Sequence, residues 1–357
     1  MSWAHAIVRP EILSLPPLVL DDAAEDALVH AARLHANENA YACSEPALHH
    51  YPHMYARTAE HALAALYGVH VDSLLVSRGS DEGIDLLVRT FCRQGADSLL
   101  QFAPTFPVYA HAAHVQGVQV RNVALQESDF ALSLQALTDG LAQRPKLVFF
   151  CSPNNPTGTS IDEERVALAA AEMRSTGLVI VDEAYVEFSR QPSMLKLVER
   201  FPNVVVLRTL SKARGLAGAR VGALVAAPEV IELLRRVRLP YCITSHSMKM
   251  AIEAASEHGQ ARSAQAVACT MQERAAMYEA LLAMPGVERV WPSDANFHLI
   301  RHERPERVVQ LCALAGIAVR AFSGNSTVLA RCLRLTVGTP EQNQQLRQCL
   351  TAAMSPE

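Results

Sequence analysis

The chain has 357 residues, half of them apolar, which is enough for one large domain or two of unequal size. Its formal net charge of −4 argues against a general nucleic-acid or polyanion binder, and no apolar run reaches the roughly 18 residues of a transmembrane helix. The 8 cysteines lie singly with no C-x-x-C pair, and "MSWAHAIVRPEI" lacks the regions of a signal peptide, so free thiols in a reducing cytoplasm are expected.

Residues 1–34 read as an N-terminal arm with a short helix, Pro-rich early and Ala-rich later. "TAEHALAALYG" (58–68) is an amphipathic helix stopped by Gly68, "SLLVS" (73–77) a strand, and "DEGIDLLVRTFC" (81–92) a helix with Asp81 in its first turn. Strands follow at 97–102 and 118–125. "KLVFFCS" (146–152), "LVIVDEA" (178–184) and "NVVVLRTLS" (203–211) are short continuous apolar runs, as in central strands of a parallel sheet covered on both faces. "GALVAA" (222–227) reads as the strand that closes the sheet. This alternation predicts an α/β sandwich over 35–245. A long Ala-rich helical stretch over 246–284 comes next, followed by "NFHLIRH", a helix, "GIAVRAF", "CLRLTVG" and a final helix. This second pattern predicts a smaller α+β domain over 246–357.

Polar clusters follow the strands: "RGSDEG", "PTF", "SPNNPTG", "DEAY" and "TLSK". In open parallel sheets ligands bind beyond the carboxyl ends of the strands, so clusters far apart in sequence should meet at one crevice.

Within "TLSK", Lys212 is one of only four lysines in a chain with 32 basic residues, the others being Lys146, Lys196 and Lys249. A lysine can lose its proton and attack a carbonyl, which arginine cannot do usefully; the plainer reading is a surface lysine. Asp182 ends a buried run and needs a cationic partner, such as a protonated pyridine nitrogen, unless it serves as a cap. "SPNNPTG" marks a turn, yet it also places amides in the crevice, and Asn155 is suited to donating to a phenolate oxygen. Gly79 and Ser80 open a helix whose free N–H groups suit an anion, or plain capping. Arg220, in "GLAGARVG", suits bidentate phosphate binding, with hydroxyls from Thr209 and Ser211; the alternative is a packing turn with a surface arginine. His49 and His53 are four apart, and His111 and His114 three apart, but neither pair has a third ligand nearby, so no metal site is expected.

"SPNNPTG", "DEAYVEF", "TLSKARGLAGARVG" and "CLRLTVGT", in this order and spacing, resemble the fold-type I pyridoxal-phosphate aminotransferases. "LHANENA", "YP" at 51–52, "RGSDEGIDLL", "APTFPVY" and "GIAVR" are similar to the histidinol-phosphate aminotransferase branch of that family. The resemblance covers nearly the whole chain. It implies a large αβα domain with a mostly parallel sheet, a smaller α+β domain, and pyridoxal phosphate held covalently by Lys212. It further implies that Asp182 pairs with the pyridine nitrogen, Tyr185 and Asn155 bond the 3′ oxygen, and Phe106 stacks on the ring. The phosphate would be held by the amides of Ser80 and Asp81 with Thr209, Ser211 and Arg220, and by Tyr51 from a neighbouring subunit of a homodimer. Arg334 would bind the carboxylate of glutamate, and Arg320 with Arg334 the phosphate of histidinol phosphate, with Asn37 and Tyr241 lining the pocket. The implied reaction is exchange of the amino group between histidinol phosphate and 2-oxoglutarate, in histidine biosynthesis.

The chain departs from that pattern at His35, Ala40, Phe106 and Arg214–Gly215, and its arm reads "LPPLVL" with no aromatic. An aromatic or broad-range aminotransferase, or a phospho-amino-acid decarboxylase, uses the same scaffold. A non-catalytic relative would normally carry a DNA-binding module for which no residues remain, and a Rossmann dehydrogenase would need a glycine fingerprint that is missing here.

Overall fold

Seven short strands make the larger of two sheets. The computed structural model describes residues 2–15, 36–43, 48–322 and 328–355, with the side chains of 53–55 left aside. The strands are β1 (Leu74–Ser77), β2 (Ser98–Ala103), β3 (Gln119–Ala124), β4 (Leu147–Cys151), β5 (Leu178–Asp182), β6 (Val204–Thr209) and β7 (Gly222–Val225). Their order is β1-β7-β6-β5-β4-β2-β3. β3, β2, β4, β5 and β6 run parallel, and β7 runs antiparallel to both β6 and β1.

The continuous apolar runs are explained by burial on both sides. Leu147, Phe149, Ile180, Val205 and Leu207 face one core, with the helices Gly79–Phe91 and Pro228–Val237. Val148, Phe150, Val179, Val181, Val204 and Val206 face the other, with the helix Glu163–Glu172. Neighbouring residues alternate between the two faces, as the period of a strand requires.

β7 does not close the sheet. It lies between β1 and β6, with every residue buried. Its Leu224 packs on the Gly79–Phe91 side, and Ala223 and Val225 on the opposite side. A strand buried on both faces needs both of its backbone edges paired, and this position provides that. The exposed edge belongs to β3, whose residues are all exposed or half-buried.

The second sheet holds β8 (Val287–Val290), β9 (Phe297–His302), β10 (Arg320–Ala321) and β11 (Cys332–Thr336), all antiparallel in the order β10-β11-β9-β8. Helices Glu257–Leu282, Pro305–Leu314 and Pro340–Ala352 cover it. The helical stretch expected over 246–284 is two helices. Ser256 ends Ser245–Ala255 and caps Glu257–Leu282, its Oγ accepting from Gly259 N at 3.1 Å. β8 was not anticipated, because "VERV" exposes its two central residues and lacks an apolar run. In the arm, helices Trp3–Ile7 and Pro10–Leu13 bury Ala4, Ile7 and Ile12 in the first core. The Ala-rich part of the expected arm falls at 16–35, outside the described residues.

Candidate active site

The parallel strands deliver their carboxyl ends to one edge of the sheet, and β1, antiparallel to β7, points the same way as β6. The segments 78–82, 104–106, 152–158, 182–185 and 209–212 therefore meet there.

Asp182 is the last residue of β5 and only 2% exposed. Its Oδ1 accepts from the backbone N–H of Ala184 at 3.1 Å, and its Oδ2 accepts from the Tyr109 hydroxyl at 2.7 Å. Burial pushes the carboxyl up to about 6, against the pull of those two donors. Among the described residues it makes no ion pair. The charge of Lys212 reaches it only as a weak influence.

Lys212 follows β6 and is solvent-accessible from the crevice. Partial burial lowers its pKa, followed by the positive charge of Arg334; Asp81 and Asp182 act in the opposite direction. Its Nζ stands 5.5 Å from the centre of the Tyr185 ring. The Tyr185 hydroxyl accepts from Asn155 Nδ2 at 3.5 Å, and burial raises its pKa well above that of a free tyrosine. Asn155 Oδ1 in turn accepts from Arg334 Nη1. Arg334 is the direct cross-strand partner of Arg320 on β10. These contacts join the two sheets through a single chain of side chains.

The third part is a candidate anion cradle. Helix Gly79–Phe91 begins at the crevice, and Gly79 takes a left-handed conformation with φ 75°. A Cβ there would meet Arg220 Nη2 at 2.7 Å, so glycine is what lets the guanidinium lie across the helix start. Arg220 also donates to Asp81 Oδ2 at 3.1 Å, Ser211 Oγ at 3.3 Å and the Ala217 carbonyl at 3.2 Å. Thr209 Oγ1 donates to Ser211 Oγ at 3.0 Å. Gly222 supports the cradle from beneath: a Cβ there would press on the Gly79 carbonyl carbon at 2.6 Å and Ser80 N at 2.7 Å.

The rim is more open. Phe106 sets its ring edge-on to Tyr109, with centroids 5.6 Å apart. Tyr51 stacks on Tyr241 of the same chain at 4.4 Å, and its backbone N–H donates to Glu38 Oε1 at 2.6 Å. Asn37 and Arg320 are exposed. His35 lies outside the described residues. Among the described residues, no group of three His, Cys, Asp or Glu is placed to hold a metal ion, and no helix is long and apolar enough to cross a membrane.

Two features escaped the sequence reading. One is Tyr109, which "APTFPVY" offers only as an apolar helix residue. The other lies on the opposite side of β5 and β6. There the buried Arg208 pairs with the buried Glu183 at 3.4 Å and with the half-buried Glu187 at 2.7 Å, and stacks over the half-buried Tyr67. Glu183 also accepts from Ser193 Oγ and Met194 N, both at 2.6 Å, which fastens the segment that carries Asp182 and Tyr185. Arg208 in an apolar run and the two glutamates of "DEAYVE" were the available signals.

Residues 19–350 match the family model described as aminotransferase class I and II. The chain is 38% identical over 353 residues to the histidinol-phosphate aminotransferase of Stenotrophomonas maltophilia, covering 97% of this chain and 96% of that one. It is 41% identical over 319 residues to the enzyme of that name from Xylella fastidiosa, covering 88% and 87%. Its fold is similar to that of the histidinol-phosphate aminotransferase of Sinorhizobium meliloti, solved in complex with pyridoxal-5′-phosphate. That match has a TM-score of 0.78 and 23% identity, and it covers 96% of each chain. The chain belongs to the class I and II aminotransferases.

Proposed function

We propose that this chain transfers the amino group of L-histidinol phosphate to 2-oxoglutarate, giving imidazole-acetol phosphate and L-glutamate in histidine biosynthesis, with pyridoxal phosphate as cofactor. The observation that carries the reading is the grouping around one crevice of a lysine amine, a buried carboxylate that makes no ion pair among the described residues, and a candidate anion cradle. The names of its relatives support the choice of substrate.

The donor set fits the cofactor. Asp182 is a buried carboxylate suited to a protonated pyridine nitrogen. Tyr185 and Asn155 stand together as partners for a phenolate oxygen. Ser80 and Asp81 N–H groups, Thr209, Ser211 and Arg220 suit a phosphate. When bound, the cofactor supplies an electrophilic carbon and a ring that spreads negative charge from the substrate's Cα.

The chain's residues supply the remaining functions. Lys212, with its lowered pKa, would be the covalent anchor and, once freed by the incoming amine, would carry the proton between the substrate's Cα and the cofactor's electrophilic carbon. Asp182 keeps a proton on the ring nitrogen. Phe106 covers a ring face and excludes water from it. Arg334 and Arg320 receive the anionic ends of both substrates in turn, a carboxylate or a phosphate, with Asn37 and Tyr241 beside them.

The working unit is a cytoplasmic homodimer in which Tyr51 contributes to the neighbour's phosphate site. Each subunit comprises an arm over 1–34, a larger domain over 35–245 and a smaller one over 246–357. The separation of the two sheets supports that division. Steady-state kinetics test the substrate. Histidinol phosphate is expected to exceed phenylalanine in kcat/KM; a preference for phenylalanine by about tenfold, or decarboxylation of a phospho-amino acid, contradicts the assignment.

A further inference from the structure

We infer that Tyr109 is a positioning residue, whose buried hydroxyl fixes Asp182 in the orientation and ionised form that a protonated heteroaromatic nitrogen requires. The inference rests on the reading of Asp182 as the partner of the cofactor's ring nitrogen.

Tyr109 lies in the first turn of the helix Val108–Val115 and is wholly buried. Its ring stacks on Phe149 at 4.7 Å and meets the edge of Phe106 at 5.6 Å, so the ring is held on two sides. Its hydroxyl reaches Asp182 Oδ2 at 2.7 Å, a short charge-assisted contact. The Ala184 N–H occupies the other oxygen. With one donor on each oxygen, the carboxylate is held against rotation and still keeps a lone pair on each for a ligand.

The direction of the proton follows from burial. Burial and the neighbouring Asp182 hold the Tyr109 phenol well above its usual range, so it remains a donor at any working pH. Burial likewise pushes the adjacent Cys151 thiol up to about 12, so it brings no charge. Asp182 also faces Lys212, Asp81 and Tyr185, of which Lys212 favours its ionised form and Asp81 opposes it. Among the influences that oppose desolvation, the Tyr109 hydroxyl is the largest. Removing it should let the carboxyl take up a proton at higher pH and turn more freely.

The experiment uses the holoenzyme, with cofactor release on dilution followed by visible absorbance from about pH 5 to 9. Tyr109→Phe keeps the ring. Compared with the unaltered enzyme, it is expected to hold pyridoxal phosphate about tenfold more weakly near neutrality and to move the acid limb of the affinity profile to higher pH. In an Asp182→Asn background the same change should have little further effect, because the two residues act through one bond. If Tyr109→Phe fails to fold, 3-fluorotyrosine in place of Tyr109 gives the opposite sign. It is a stronger donor that should move the acid limb to lower pH. An unchanged affinity and pH profile in both Tyr109 variants, or an equal loss in the Asp182→Asn background, overturns the inference while leaving Asp182 in its role. An Asp182→Asn enzyme that holds the cofactor as well as the unaltered one overturns the underlying reading instead.

Discussion

Arg320 and Arg334 stand directly opposite each other in the β10–β11 ladder, two like charges on one face of a small sheet. Among the described residues neither makes an ion pair. Arg334's own pKa is lowered by burial and by its neighbour's charge. Such a pair destabilises a sheet unless an anion sits between or beside the guanidinium groups. Arg334→Ala is therefore expected to weaken both glutamate and histidinol phosphate by about 1.5–3 kcal/mol, the loss of one charge-assisted contact. KM measurements check this, and an unchanged KM for glutamate contradicts it.

Asp182 links function to stability. Burial raises its pKa from 3.8 to about 6, so the folded chain binds that proton more tightly than the unfolded chain does. Protonation thus favours folding, and the ligand-free protein loses stability as pH rises from about 4 through about 6. Asp182→Asn should stabilise the ligand-free protein at pH 7 by about 1–3 kcal/mol, with the gain fading below pH 4. Calorimetry across that range measures it. A loss of stability at neutral pH would mean that the carboxylate is better compensated than its surroundings indicate.

The Arg208 site makes a contrasting prediction. Its side chain and that of Glu183 are 7% and 1% exposed. Arg208→Met strands Glu183 in the core and should cost about 3–5 kcal/mol in urea denaturation. The exposed pair Lys196–Glu163, at 2.9 Å, should cost less than about 1 kcal/mol when Lys196 becomes alanine. Equal effects would show that burial does not govern these pairs.

Gly222 tests the cradle from below. The backbone atoms a Cβ would strike belong to Gly79, Ser80 and Arg208, and the first two open the helix proposed to hold the cofactor's phosphate. Gly222→Ala should destabilise the fold by about 1–3 kcal/mol and weaken cofactor binding along with it. Wild-type cofactor affinity in this variant would separate β7 from the phosphate site.

Much of the site was legible because its residues follow continuous apolar runs, and a run buried on both faces marks both a central strand and a crevice at its carboxyl end. Lys212, Asp182 and Asn155 could be named as candidates on that basis, and Arg220 from the glycine-rich stretch that follows Lys212. The placement of β7 was not legible, since four buried residues read the same whether their neighbours are parallel or antiparallel. Nor was the break at Ser256, where good helix formers continue on both sides and only the cap marks the corner. Tyr109 and Arg208 were hidden for a different reason. Each sits in an apolar pattern, and its meaning comes from a partner 73 or 25 residues away that only the folded chain supplies.

The most direct test of the account is to reduce the holoenzyme with borohydride and locate the cofactor label by peptide mapping. The label is expected on Lys212, with loss of the visible absorbance and of transamination. A label on Lys249, or an enzyme that keeps its activity after reduction, would contradict the assignment of Lys212 as the covalent anchor.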